Sequence, residues 1–126
     1  MKTIVSTPKA PAAIGAYSQA VACKGDMLFV SGQVPLVPET GELVSDDIRE
    51  QTERVILNLQ AILQEGGMEL SDVVKATVFF TRLEDFGAIN EVYGKYFSEG
   101  KPARAAVVAA DLVKNAKVEI DVIAVK

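Results

Sequence analysis

The sequence predicts an α+β domain in which two helices pack on one face of a sheet of five or six strands. Short apolar runs bounded by turn residues open the chain, the apolar spacing changes twice to the helical period, and two further apolar runs follow. Strands and helices in this mixed order are typical of an α+β architecture. The length of 126 residues suits a single domain, residues 1–126.

Three strands are predicted before the first helix. Residues 2–6 form a short edge strand, and residues 14–23 form a turn that enters a second strand. The tight connection at residues 24–26 predicts that this second strand pairs as a hairpin with residues 27–31. The turn residues at 38–41 then end the β-rich part of the chain.

A long helix is predicted from Ser45 to the glycine pair at residues 66–67. Ser45 suits the N-cap, the two aspartates after it favour the positive end of the helix dipole, and the glycines end the helix. One helix face should pack on the sheet. Its apolar residues are Ile48, Val55, Leu59 and Ile62, with Ile56 and Leu63 beside them.

The second half of the chain predicts a strand, a helix and two more strands. Residues 72–81 form a strand with two largely apolar faces, and residues 86–97 carry a second helical stripe. A central strand at residues 103–110 follows, and residues 118–125 form the last strand.

Apolar residues occupy both faces of the strands at 73–80, 104–110 and 118–125. Two helices cover only one face of a sheet, and a second apolar face left in water would exceed the patch size usual for a monomer. The sequence therefore predicts that another copy of the chain covers that face in a closed homo-oligomer.

Composition argues against several kinds of function. Seventeen acidic and thirteen basic residues give a net charge of −4, and no run of Lys or Arg could follow a phosphate backbone, so nucleic acid is not the expected partner. The chain has no histidine and one cysteine, which removes Ser-His-Asp triads and intramolecular disulfides. No zinc spacing, phosphate loop or dinucleotide fingerprint occurs, so neither a metal nor a cofactor is expected.

The start of the chain lacks the apolar region of a secretory signal. No apolar run approaches the length that spans a membrane. We therefore expect a soluble cytoplasmic protein without a membrane partner.

Residues 101–110 surround the guanidinium of Arg104 with small and apolar side chains. The only other charged group among them is the amine of Lys101. A guanidinium in a buried strand requires an anion. Two explanations are open: a structural carboxylate of the protein pairs with Arg104, or its planar fork binds the carboxylate of a small ligand.

Glu119 is the second candidate, in an apolar part of the last strand. Its carboxyl is either the structural partner of Arg104 or Lys117, or a group that exchanges a proton with water or substrate. Asp121 lies two residues along on the same face and competes for either role.

Three neutral positions are weaker candidates. Tyr17 and Asn90 can form hydrogen bonds, and Gly32 exposes bare backbone at the end of a strand. Taken alone, they are more simply explained as a surface aromatic, a polar helix position and a turn glycine.

Several segments together resemble the RidA (YjgF) family. The resemblance covers almost the whole chain, and its most specific part is the last pair of motifs, in this order and at this separation. The segments are Ile14-Gly15-Ala16-Tyr17-Ser18-Gln19-Ala20, Ser31-Gly32-Gln33-Val34-Pro35 with Thr40-Gly41-Glu42, Val74-Lys75-Ala76-Thr77-Val78-Phe79, residues 86–93, and Pro102-Ala103-Arg104 followed by Val118-Glu119-Ile120.

The resemblance implies a chorismate-mutase-like α+β fold with a sheet of about six strands and two helices on one face. It further implies a homotrimer with inward-facing sheets and three sites in the clefts between subunits. The implied activity is hydrolysis of reactive enamine and imine intermediates, such as 2-aminoacrylate, 2-iminopropanoate and 2-iminobutanoate, to 2-oxo acids and ammonia. These intermediates leave pyridoxal-phosphate-dependent serine and threonine dehydratases.

The same resemblance implies a role for each candidate residue. Arg104 would hold the substrate carboxylate, Glu119 would position or activate the attacking water, and Tyr17, Asn90 and the backbone at Gly32 would line the pocket.

The chain departs from the family pattern at Ala16, where proline is frequent, and at Ala106, where cysteine is frequent. Hydrolysis should survive the loss of that thiol, because an imine already reacts with water.

Two other functions stay open. One is a non-catalytic binder or sensor of small 2-oxo acids that uses Arg104 in the same way; the other is an RNA-acting or chaperone-like protein, and the acidic balance counts against RNA.

Overall fold

Six strands and two helices follow one another in the predicted α+β order. The computed structural model describes all residues, Met1–Lys126. The strands are β1 Lys2–Val5, β2 Ala20–Cys23, β3 Met27–Gln33, β4 Val73–Phe80, β5 Ala103–Val108 and β6 Val118–Val125, and the helices are α1 Ile48–Glu65 and α2 Phe86–Tyr96. Neither helix is both long and apolar enough to cross a membrane.

Four of the strands form one mixed sheet in the order β3-β6-β4-β5. β4 pairs parallel with β5 and antiparallel with β6, and β6 pairs antiparallel with β3. β1 and β2 form a separate antiparallel pair. Backbone pairing therefore divides the six strands into a sheet of four and a ribbon of two.

The predicted hairpin between the second and third strands is wrong. β2 pairs with β1, whereas β3 pairs with β6. Asp26 donates its backbone N–H to the carbonyl of Lys126 at 2.9 Å and accepts the N–H of Lys126 at 3.0 Å, which ties the start of β3 to the end of the chain. Gly25, with a φ of 144°, allows the turn between β2 and β3. The eight-residue β6 offers β3 a longer apolar partner than the four-residue β2 does.

The strand that carries Arg104 lies at an edge of the sheet, not at its centre as predicted. β5 pairs with β4 on one side, while on its other side a single isolated bridge joins Ala103 to Ser18. Val107 and Val108 remain exposed. Small apolar residues indicated burial, but composition alone does not distinguish a central strand from an edge strand with an apolar face.

The first helix begins two residues later than predicted, since its N-cap is Asp47 in place of Ser45. The Asp47 carboxylate accepts the N–H of Glu50 at 2.9 Å, while the Ser45 hydroxyl accepts the N–H of Asp47 itself. A glycine C-cap at Gly66 ends the helix as expected.

Both helices pack on the same face of the sheet and form the hydrophobic core with it. The core includes Val55, Ile56, Leu59 and Leu63 of α1, Ile89, Val92 and Tyr93 of α2, and Ala76, Val78, Phe80, Val118, Ile120 and Val122 of the sheet. Ile62, predicted in the buried stripe, is 38% exposed because the stripe is centred closer to Val55 and Leu59.

The opposite face of the sheet, here called the open face, has no helix on it. Phe29 pairs in register with Ile123 on this face, and the Phe29 side chain is 67% exposed. The second face of the sheet is therefore uncovered in the single chain, and Phe29 and Ile123 form an apolar part of it.

Candidate active site

A cleft of about 330 Å³ opens where β5, α2 and the loop before β2 meet. Its walls are mainly apolar, and they contain one charged group, the guanidinium of Arg104. The lining residues are Ile14, Gly15, Tyr17, Phe86, Asn90, Arg104 and Ala106.

Arg104 is held by one hydrogen bond and three aromatic rings. Its Nη1 donates to Asn90 Oδ1 at 2.7 Å. The central carbon of the guanidinium lies 5.4 Å from the centre of the Tyr17 ring, 5.7 Å from that of Phe86 and 4.9 Å from that of Tyr93. Aromatic faces attract cations, so neutral groups alone hold this charge in place.

No carboxylate pairs with Arg104, since the two ion pairs of the chain lie elsewhere on the surface. Partial burial lowers the pKa of Arg104, and nearby Tyr93 and Tyr17 oppose that change. The guanidinium still remains cationic at neutral pH, because arginine is not deprotonated in proteins. Of the two explanations for Arg104, the chain offers no residue for the first, and a cation without a counter-charge lines the cleft.

The α2 wall of the cleft follows from the spacing of its residues. Phe86, Asn90 and Tyr93 are four and three residues apart, so they share one face of the helix. Ile89, next to Asn90, is fully buried in the core. Asn90 is therefore directed toward Arg104 and is not an idle polar position on the helix.

The loop between β1 and β2 supplies the wall that carries Tyr17. The N–H of Ile14 donates to Tyr17 Oη at 3.3 Å, and the N–H of Tyr17 donates to the Gly15 carbonyl at 2.9 Å. Ser18 ties the same loop to the backbone just before β5 through both its N–H and its hydroxyl. These bonds keep the Tyr17 ring over Arg104.

Glu119 and Gly32 lie together, but away from Arg104. Paired residues of neighbouring strands share a face, and Arg104 pairs with Ala76 whereas Glu119 pairs with Phe79. Those two partners are three residues apart on β4 and so point to opposite faces. A side chain at position 32 would overlap the Glu119 carboxylate. The predicted site residues therefore fall into two groups, one on each face of the sheet.

The Glu119 carboxyl makes no ion pair and no side-chain hydrogen bond within the chain. Lys117, a possible structural partner, donates its ammonium to the backbone carbonyl of Asp46. Asp121 lies on the same face, paired in register with Thr77. No three Cys, Asp or Glu side chains come close enough together to hold a metal ion.

Comparison with known protein families identifies the family of this chain. The family described as Endoribonuclease L-PSP, which is the YjgF/RidA family, matches residues 7–126. The chain belongs to this family.

Three relatives show how close the similarity is. A RutC family protein of Pyrococcus abyssi is 53% identical over 99% of this chain and 98% of its own length. A protein of Rattus norvegicus named 2-iminobutanoate/2-iminopropanoate deaminase is 44% identical over 100% of this chain and 91% of its own length. The crystal structure of E. coli TdcF with bound serine is 42% identical, with a TM-score of 0.76 over 98% of both chains.

Sequence reasoning missed two residues that surround Arg104 in this RidA-family protein. Phe86 and Tyr93 belong to the helical stripe predicted at residues 86–97, which assigns them no role beside Arg104. The Tyr93 hydroxyl is buried without a hydrogen-bond partner, and burial raises the pKa of Tyr93 while Arg104 opposes that rise. The signal was present in the helical spacing of both rings to Asn90, which places them on its face.

Proposed function

We propose that this RidA-family protein hydrolyses small 2-imino acids, such as 2-iminopropanoate and 2-iminobutanoate, to 2-oxo acids and ammonia. The observation that carries the proposal is the guanidinium of Arg104, which lines a mainly apolar cleft and has no carboxylate partner of its own. The name of the rat relative supports the same reaction.

The cleft suits a small carboxylate with a short apolar side chain. Arg104 has five N–H donors, and Asn90 accepts from only one nitrogen, so a carboxylate can take two parallel hydrogen bonds. The rings around the guanidinium lower its exposure to water, which strengthens attraction to an anion. Ile14 and Ala106 offer apolar surface to the ligand's side chain.

Hydrolysis of an imine requires little from the protein. The protonated C=N carbon beside a carboxylate is electrophilic, and water adds to it to form a carbinolamine. Transfer of a proton from the added water to the nitrogen lets ammonia leave as the C=O bond forms. 2-Aminoacrylate enters the same route through its tautomer, 2-iminopropanoate. Holding imine and water together can lower such a barrier by about 7 kcal/mol in favourable cases.

In this proposal Glu119 of a neighbouring copy moves the proton. Within one chain Glu119 lies on the open face, whereas Arg104 lies on the helix side. We place Glu119 and Gly32 of one copy beside Arg104 of the next, in three sites between the subunits of a homotrimer that also buries the open faces. The exposed Phe29 ring and the apolar character of the open face support such an assembly.

An assay with imines generated in place tests the proposed reaction. A pyridoxal-phosphate-dependent dehydratase acting on serine or threonine supplies the imine, and release of the 2-oxo acid is followed. We expect the protein to speed release of pyruvate and 2-oxobutanoate in proportion to its concentration, without changing consumption of the amino acid. A rate equal to that with an unrelated protein at the same concentration would contradict the proposal.

A non-catalytic binder or sensor of small 2-oxo acids is the second candidate. It is favoured by one observation: Arg104, Tyr17 and Asn90 come together within one chain, whereas Glu119 lies elsewhere. The serine bound to E. coli TdcF supports a ligand with a carboxylate. Stabilisation by 2-oxobutanoate with no hydrolytic rate would identify this function.

The family description also names an endoribonuclease. This chain carries a net charge of −4 and has no run of basic residues, which is a poor match to a polyphosphate backbone. We therefore do not propose RNA as the substrate.

A further inference from the structure

We propose that Gln19 is a positioning residue, which fixes the loop of residues 6–19 so that its second half forms one wall of the cleft. This inference rests on the proposed use of the cleft for small imino and oxo acids. Gln19 itself does not line the cleft. It acts on the ligand site only through the backbone that it holds.

The Gln19 side-chain amide makes four hydrogen bonds to the first half of this loop. Its Oε1 accepts the N–H of Thr7 at 2.6 Å. Its Nε2 shares its two hydrogens among the carbonyls of Thr7 at 3.1 Å, Ala10 at 3.3 Å and Pro11 at 2.6 Å, so that one N–H is bifurcated. The amide thus pairs with both backbone groups of Thr7, as a neighbouring strand would, and it also holds the next turn of the loop.

Little else holds that part of the loop. Residues 7–15 are exposed, and Ile14 is 93% exposed, so core packing does not fix them. A loop of this length without a helix or strand is uncommon in a compact domain, and such loops are usually either functional or disordered. Ile14, Gly15 and Tyr17 reach the cleft only if the loop keeps its path. Ser18 fixes the end of the loop to the backbone before β5, and the Gln19 amide fixes its first half.

The chemistry of the amide explains why glutamine is needed here. An amide can accept from an N–H and donate to carbonyls at the same time. Alanine would remove all four bonds. A carboxylate in Gln19→Glu could still accept from Thr7, but its other oxygen would face the carbonyls of Ala10 and Pro11 and repel them.

Loss of the Gln19 bonds should weaken ligand binding more than it slows chemistry. Arg104 and Glu119 remain in place in the variants, so kcat should stay within about twofold. KM should rise about tenfold, because the binding-competent form of the loop becomes a minor fraction.

The experiment compares wild type, Gln19→Ala, Gln19→Glu and the control Gln64→Ala, whose side chain is exposed on α1. Three measurements are made: the affinity for 2-oxobutanoate by calorimetry, the kinetics (kcat and KM) with imines generated in place, and amide hydrogen exchange at Thr7, Ile14 and Tyr17. We expect both Gln19 variants to bind about tenfold more weakly and to exchange faster at these amides, with Gln64→Ala like wild type.

The outcomes separate this inference from the proposed reaction. Wild-type affinity and exchange in Gln19→Ala would overturn the inference even if the reaction stands. A lower melting temperature with unchanged KM would also overturn it, since a merely structural role has that result. If wild type binds 2-oxobutanoate but hydrolyses no imine, the reaction fails, and the affinity ratio still decides the role of Gln19. If wild type does neither, both are rejected.

Discussion

Replacement of Arg104 by alanine is expected to lower kcat/KM for imine hydrolysis by about 100-fold or more, because a partly desolvated cation that binds a carboxylate contributes several kcal/mol to the complex. The affinity for 2-oxobutanoate should fall with it. The imine assay and calorimetry measure the two effects. Since no carboxylate of the same chain pairs with Arg104, the substitution leaves no anion of that chain without a partner, and we expect the variant to fold.

Two further variants make this result interpretable. Arg104→Lys keeps the charge but loses the planar fork and its two parallel donors, so it should recover only part of the activity. Arg82→Ala removes an exposed arginine that pairs with Glu84, and it should behave as wild type. Full activity in a folded Arg104→Ala protein would eliminate the proposed anchor.

Replacement of Glu119 by glutamine is expected to lower kcat by about 100-fold, the range found for loss of a general acid–base group. The amide has nearly the same shape as the carboxyl, but it cannot take a proton from water. Binding of 2-oxobutanoate should stay measurable, because Arg104 is unchanged. Single-turnover rates and calorimetry on the same preparation give both quantities.

Asp121→Asn is the matched control, since Asp121 lies on the same strand and face as Glu119. It should keep most of the activity. Unfolding of Glu119→Gln, seen as a lost thermal transition, would assign Glu119 a structural role. Equal losses of kcat in the Glu119 and Asp121 variants would show a general effect of negative charge on that face. They would contradict a specific role of Glu119 in proton transfer.

Local patterns predicted the order of elements, and long-range pairing accounts for the errors. The α1 stripe and its glycine end followed from helical periodicity and capping. A short turn predicts a hairpin between β2 and β3. In the structure β3 pairs instead with β6, which lies far along the chain. The edge position of β5 also depends on the strand order, which neither turns nor composition specify.

The site could be predicted only in part, for a related reason. Arg104 was recognisable because a lone guanidinium in an apolar strand requires an anion. That Arg104 and Glu119 point to opposite faces depends on strand register, which a single sequence does not reveal. The sequence also did not reveal the hydrogen bonds from Gln19 to the Thr7–Pro11 backbone or the packing of the rings around Arg104. These contacts join different segments of the chain, so no local sequence periodicity predicts them.

The most direct test of the account is complementation between two inactive variants. Chains with Arg104→Ala and chains with Glu119→Gln are co-expressed, and mixed assemblies are verified by native mass spectrometry before the imine assay. If each site takes Arg104 from one copy and Glu119 from the next, random mixing leaves about a quarter of the sites intact, so activity should return to about a quarter of the wild-type value. A verified mixture no more active than the separate variants would contradict a site shared between copies.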